Sequence, residues 1–263
     1  MAGSEIGLGY RLHLGDGEPM GVSKVRGWYR SGRRWLIRAT RRPRIGRVQL
    51  GDLARLAPIS RDWGFDRGLP IDRFYIERFL AANAADIRGR VLEVSNNDYT
   101  RRFGGARVAQ SDVLHPFEGN PRATVIADLS RPEKRLEGSF DCIICTQTLQ
   151  FIYEARNAVT QLHRWLKPGG VALVSVPGIS QISPEDMRQT GDYWRFTDAA
   201  MHRLFADAFG EGVAEIEVFG NVLASMAFLH GIAAEELQES DLLHADPQFQ
   251  VITTVRAVRR DET

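Results

Sequence analysis

From Ile71 onward, two hydrophobic periods alternate along the chain. In Ile71–Leu80, Phe74, Ile76, Phe79 and Leu80 share one side at helical spacing. Arg90–Val94, Val108–Ser111, Ala123–Ala127 and Phe140–Cys145 are short apolar runs that predict strands. The second run leads into Asp112 and the third into Asp128. Ala155–Leu166 predicts a helix with Val159, Leu162, Trp165 and Leu166 on one side, stopped by Lys167-Pro168-Gly169-Gly170. A strand over Val171–Val176 follows, then a helix over Asp198–Phe209 with an acid at its positive end. Val213–Val218 and Gln250–Val258 predict the last strands, and the Ala-rich Asn221–Leu237 between them predicts a helix. Strands alternating with helices imply an α/β fold, a doubly wound and mostly parallel sheet with helices on both faces.

The first seventy residues are different. Residues 1–23 are Gly-rich and weakly patterned, a leader. Residues 24–47 hold ten Lys/Arg and no Asp/Glu, with Val25, Trp28, Tyr29, Trp35 and Leu36 at helical spacing between the arginines. Gly27 and Gly32 weaken that helix, and Pro43 should end it. A connecting segment with turn signals at Pro58, Gly64, Gly68 and Pro70 leads to the body. The expected division is therefore 1–69 for leader, basic arm and connecting segment, and 70–263 for the α/β domain.

Charge sharpens that division. The formal net charge of +1 comes from 34 Lys/Arg and 33 Asp/Glu, and with the arm's ten set aside the rest has 24 basic against 33 acidic residues. The chain is a basic arm on an acidic body. Three readings of the arm stay open: a solvated extension, a surface for an anionic acceptor or anionic membrane, or a contact for a partner protein. Nucleic acid ranks last, because the body is acidic and no recognition motif accompanies the arm. With no apolar h-region and no run long enough to span a bilayer, the expected location is cytoplasmic, peripheral to the membrane if the arm binds lipid. Cys142 and Cys145 lie in an apolar strand at i and i+3, which sends them to opposite faces, so they read as core residues.

Ligands of such sheets sit beyond the carboxyl ends of the strands. Glu93, Asp112 and Asp128 fall at or near the ends of the first three strands, 19 and 16 residues apart. A carboxylate there can accept from two ribose hydroxyls. The turn after Glu93 reads Ser95-Asn96-Asn97-Asp98, with no glycine between Gly89 and Gly104. Asn tolerates positive φ better than most residues, so Asn96 or Asn97 is expected to take it.

These acids, followed by FDCIICTQTLQFI and LHRWLKPGGVALVSVPG, resemble the class I S-adenosylmethionine-dependent methyltransferases of the methyltransferase-11 type, over about Pro70 to Val258. GDYWRFT (191–197) and FGNVLASMAFLHGIAAEEL resemble a bacterial subset associated with glycosyltransferases. The resemblance implies a Rossmann-like fold and S-adenosyl-L-methionine as cofactor. It further implies that Glu93 helps hold the methionine end, that Ser95, Asn96 and Asn97 stand in the family's glycine-rich turn, and that Asp112 takes the ribose. Asp128 and the Leu129 amide would take the adenine, and Thr146 and Gln147 would line the junction of cofactor and acceptor. Many relatives carry His where Gln147 and Phe151 stand, and Gln is no base at neutral pH.

If the acceptor is a hydroxyl, a base is needed. His115, Asp192 and Tyr193 are the candidates, with His202 behind them; Tyr193 and Trp194 could also stack on a ring. No acid pair has metal-ligand spacing. The resulting expectation is methyl transfer to a hydroxyl of a saccharide or glycosylated metabolite. The alternatives are a small natural-product methyltransferase, or a non-catalytic cofactor-fold protein partnering a glycosyltransferase.

Overall fold

The computed structural model describes Pro43 and residues 46–260. The chain divides into two compact units, residues 1–55 and 56–263. In the first, the described residues form a short 3-10 turn at Gly51–Leu53 with no buried side chain. Apart from Pro43, Gly46 and Arg47, the basic arm lies outside the described residues. The second unit begins earlier than residue 70. The Ile59 and Ser60 amides donate to the His230 carbonyl, and Arg67 pairs with Glu236, so this part of the connection belongs to the body.

That body is a seven-stranded sheet. Its strands are β1 (Gly89–Val94), β2 (Val108–His115), β3 (Val125–Ile126), β4 (Phe140–Thr146), β5 (Leu166–Pro177), β6 (Ala214–Phe219) and β7 (Ile252–Val258), in the order β3-β2-β1-β4-β5-β7-β6. β1 to β5 are parallel, while β7 runs antiparallel to both β5 and β6. Helices α1 (Ile71–Ala82), α2 (Ala155–Trp165), α3 (Pro184–Gln189), α4 (Asp198–Phe209), α5 (Val222–His230) and α6 (Glu239–Leu243) complete it.

Two apolar layers cover the sheet. One packs α2 and α4 through Val159, Leu162, Trp165, Met201 and Phe205 against Ile143, Cys145 and Val174. The other packs α1 and α5 through Ile76, Leu80 and Phe228 against Val91, Cys142 and Ile144. Period-2 alternation sends Cys142 and Cys145 into opposite layers, as the spacing requires. Both thiols are free and buried, and burial pushes their pKa up, Cys145 to about 12, so neither is a thiolate.

Several boundaries depart from the sequence reading. The Asn221–Leu237 helix stops at His230, where Gly231 turns left-handed at φ 67°. LKPGG ends α2 but also enters the sheet as the start of β5, with a bulge opposite Phe140 and Cys142. Most consequential for the site, β2 runs three residues past Asp112.

Candidate functional site

Every parallel strand from β1 to β4 opens at its carboxyl end onto one cleft of about 640 Å³. That volume suits a nucleoside-sized ligand. Its base is the turn after β1. Glu93 is buried, with Oε1 accepting from the Tyr99 amide at 3.2 Å and Oε2 from the Thr100 amide and hydroxyl, both at 2.7 Å. Burial raises the Glu93 carboxyl pKa, and the Thr100 and Tyr99 hydrogen bonds oppose the rise only in part. Glu93 thus folds the turn back over the end of its own strand.

The left-handed residue of that turn is Ser95, at φ 73°, and neither Asn96 nor Asn97. The reversal comes one residue earlier than expected. Leu114 O takes the Ser95 amide at 2.9 Å, and Asn96 Oδ1 takes the Asp98 amide at 3.0 Å in a local side-chain turn. Ser95 and Asn96 line the cleft, whereas Asn97 does not; its Nδ2 donates to Ser111 Oγ at 3.1 Å. A left-handed L-residue costs about 1–2 kcal/mol, and the flexibility of glycine in the unfolded chain returns about half of that. Ser95→Gly is therefore expected to raise the thermal midpoint by roughly 1–3 °C without weakening cofactor binding. A lower midpoint in a melting experiment would show that the Ser95 side chain holds the turn.

Asp112 requires a correction. It sits inside β2, paired in register with Leu92, and is 5% exposed. Arg90 Nε donates to its Oδ2 at 2.7 Å, Thr124 Oγ1 to its Oδ1 at 3.0 Å, and Gln110 Nε2 to both oxygens. Its carboxylate is consumed by the sheet and does not line the cleft. The residue at the true end of β2 is His115. Its Nδ1 lies 2.7 Å from the Phe117 carbonyl, which can only accept, so Nδ1 carries the hydrogen and Nε2 is left as an acceptor when the ring is neutral.

Asp128, Leu129, Thr146 and Gln147 line the same cleft. Asp128 Oδ1 accepts from the Ser130 amide and hydroxyl, and Oδ2 pairs with Arg131 at 3.1 Å. Gln147 is held at φ 47° at the end of β4, a strained conformation of the kind that collects at functional sites. Four acids, Glu93, Asp128, Glu154 and Asp186, face the cleft, and Arg73 from α1 is its one Lys or Arg among the described residues. Arg73 is a site residue the sequence reading missed. Burial opposes its charge, but Asp72, Tyr99 and Glu77 outweigh burial and keep the guanidinium protonated.

Of the three base candidates, His115 and Tyr193 line the cleft and Asp192 does not. Tyr193 donates its hydroxyl to Thr190 O at 3.0 Å. Asp192 is buried and held by Arg195 at 2.6 and 2.9 Å and by the Ser183 amide at 2.9 Å, so it braces a loop and is no free base. Burial pushes its carboxyl up, yet the Arg195 and Ser183 hydrogen bonds and the Arg195 charge outweigh this and hold it below the usual range. A depressed carboxyl stabilises the fold above its unfolded pKa, about 4, and the contribution is lost as pH falls through the lower folded value. Asp192→Asn should therefore melt lower than wild type at pH 7, and the gap should shrink as pH drops below about 4. A gap independent of pH would show that the pair does not titrate with folding.

The order β3-β2-β1-β4-β5-β7-β6, with only β7 reversed and the ligand cleft at the strand ends, agrees with a match of residues 51–211 to the model of a family described as "Methyltransferase domain". The chain belongs to the S-adenosylmethionine-dependent methyltransferases. It is 29% identical over 190 residues to a Mycolicibacterium smegmatis protein named "Probable S-adenosylmethionine-dependent methyltransferase", covering 71% of this chain and 69% of that one. Similar solved structures include an S-adenosylmethionine-dependent methyltransferase from Mesorhizobium loti (TM-score 0.49, 16% identity, 74% of this chain and 100% of the other). One from Archaeoglobus fulgidus shows a TM-score of 0.47 and 12% identity over 71% and 94% of the two chains. At such values no activity transfers; the sheet order carries the fold.

The cleft of this methyltransferase suits its cofactor. Four acids and one arginine complement a ligand carrying a sulfonium, an ammonium and a carboxylate, and His115 Nε2 and Asp128 offer acceptors to hydroxyl and amino groups. Among the described residues no helix is long and apolar enough to cross a membrane.

Proposed function

We propose that this methyltransferase acts on a hydroxyl of a saccharide or glycosylated metabolite. The supporting observation is an aromatic shelf at the rim of the cleft. Tyr153 and Tyr193 line the cleft and meet edge to face, and Trp194 stacks on Tyr153 at 5.7 Å and 27°. These rings are 62%, 50% and 37% exposed, although Trp194 Nε1 is anchored to the Ile152 and Tyr153 carbonyls at 3.2 Å. A rigid, exposed aromatic surface offers an apolar face to the C–H side of a sugar ring while leaving the ring's hydroxyls free to hydrogen-bond.

S-adenosylmethionine, when bound, supplies a methyl group on a good leaving group. The protein's task is then alignment. In this reading Arg73 receives the methionine carboxylate and His115 Nε2 accepts from a ribose hydroxyl. Asp128 and the Leu129 amide take the adenine edge, and Thr146 and Gln147 stand beside the acceptor. The basic arm, 24–47, would bring the enzyme to an anionic membrane surface or to a glycosyltransferase partner.

The test is a panel of saccharides, nucleotide sugars, glycolipids and non-glycosylated natural products, each incubated with S-adenosylmethionine and examined by mass spectrometry for one added methyl group. A sugar hydroxyl is expected to carry it, and Trp194→Ala is expected to lower kcat/KM at least tenfold. Methylation confined to nitrogen or to non-glycosylated compounds would overturn the reading.

A further inference from the structure

A second, smaller cavity of about 210 Å³ lies against the cleft and shares Arg73, Gln147, Phe151 and Asp186 with it. Its wall contains an unusual pair. Gln150 Nε2 donates to Gln147 Oε1 at 3.1 Å, joining the two amides head to tail. This leaves Gln147 Nε2 and Gln150 Oε1 buried and without partners, and Gln150 is 4% exposed. Turning both amides over preserves the mutual bond and again leaves one donor and one acceptor. A buried polar group with no partner costs about 1–3 kcal/mol, so two of them on side chains that line a ligand-sized cavity point to an occupant. Gln181 Oε1 is a third orphan in the same wall.

Asp72, the second residue of α1, lines this cavity as well. Its Oδ1 accepts from the adjacent Arg73 amide at 2.8 Å, and among the described residues it joins no salt bridge within 4 Å. The other charged groups around the cavity are Arg73, Asp186 and the Asp192–Arg195 pair, and the last two neutralise each other.

We infer that this cavity is the acceptor subsite, that it takes a neutral hydroxyl-bearing group, and that Asp72 receives the proton of the reacting hydroxyl. The inference rests on the methyl-transfer reading above and names the residues that act within it. A hydroxyl is both donor and acceptor, so it satisfies the amide pair in one placement, whereas an ammonium leaves Gln147 Nε2 unpaired and a carboxylate leaves Gln150 Oε1 unpaired. A neighbouring hydroxyl of the same group is the one that reacts, and Asp72 takes its O–H proton as its oxygen bonds to the methyl carbon. The C–S bond breaks with its electron pair staying on sulfur, giving S-adenosylhomocysteine and a protonated Asp72 that returns its proton to water. Burial raises the pKa of Asp72 against the charge of Arg73, which makes it a stronger base than an exposed carboxylate.

The experiment uses the full chain loaded with S-adenosylhomocysteine and glycerol as a neutral hydroxyl probe, with ethanolamine and acetate as charged competitors. Saturation-transfer NMR should show glycerol binding to wild type, with neither competitor displacing it. In Gln150→Leu the signal should fall at least fivefold, with S-adenosylhomocysteine affinity within twofold and an unchanged melting profile. Turnover of S-adenosylmethionine in the presence of excess glycerol should fall about 100-fold in Asp72→Asn, the scale of a lost proton acceptor, with KM for glycerol within threefold. Binding of glycerol to Gln150→Leu as to wild type, no glycerol signal in wild type, or displacement by ethanolamine or acetate would overturn the subsite. An Asp72→Asn enzyme that keeps a third of its turnover would overturn the base. Failure of wild type to bind S-adenosylhomocysteine is a separate result and would remove the methyl-transfer reading beneath both.

Discussion

Asp112→Ala is expected to unfold about 3 kcal/mol more easily than wild type and to leave cofactor affinity within threefold. The substitution strips Arg90, Thr124 and Gln110 of their shared acceptor inside the sheet. Removing one partner of a buried pair costs about 3–5 kcal/mol; Arg90 remains 33% exposed and regains some hydration, which places the loss at the lower end. Arg90 also lies 4.8 Å over the Phe140 ring and keeps that contact. For a domain of this size the melting midpoint should drop by roughly 6–12 °C. Chemical denaturation and calorimetry with S-adenosylhomocysteine separate the two effects. A tenfold loss of affinity at unchanged stability would place the carboxylate on the ribose after all.

Replacing Arg73 should have the converse signature. Arg73→Gln is expected to weaken S-adenosylhomocysteine about 10- to 100-fold, the 1.5–3 kcal/mol of a hydrogen bond to a charged group. Little stability should be lost with it, because the guanidinium donates to the Tyr99 hydroxyl at 3.1 Å, a single hydrogen bond to a neutral acceptor. The decisive control is 5′-methylthioadenosine, which has the same adenosine but no amino acid end. Wild type and variant should bind it equally. Equal weakening of both ligands would mean that Arg73 shapes the cleft and does not face the carboxylate.

These two residues also show what was legible in the sequence. Hydrophobic period alone located every strand and the helices over residues 71–82, 155–165 and 198–209, because those elements are buried on a regular face. It could not locate the end of β2. Val113 and Leu114 are both buried and carry the strand on past Asp112, so an acid that looked terminal became interior and His115 took the strand end. The turn after β1 was recognisable from Glu93, but which residue would turn left-handed depended on a bond from Ser95 to Leu114 of a neighbouring strand. Arg73 and Asp72 carried no local signal at all. They sit in α1, well before β1 in sequence, and only the packing of that helix over the sheet brings them to the cleft and its neighbouring cavity. Asp192 looked available because its captor, Arg195, is three residues away in a loop with no periodicity to reveal the contact.

The reversed strand carries a consequence for synthesis. β7 is the last strand in sequence but lies between β5 and β6, so β5 offers an unpaired edge until residues 252–258 have been made. On a ribosome adding about 5–20 residues per second, the roughly 75 residues between β5 and β7 leave that edge open for several seconds. During that interval the nascent sheet presents the apolar run Val171 to Val176 to any neighbouring chain. A hazard of aggregation thus falls before β7 is made, and a chaperone that shields an open sheet edge would act on the chain at that moment.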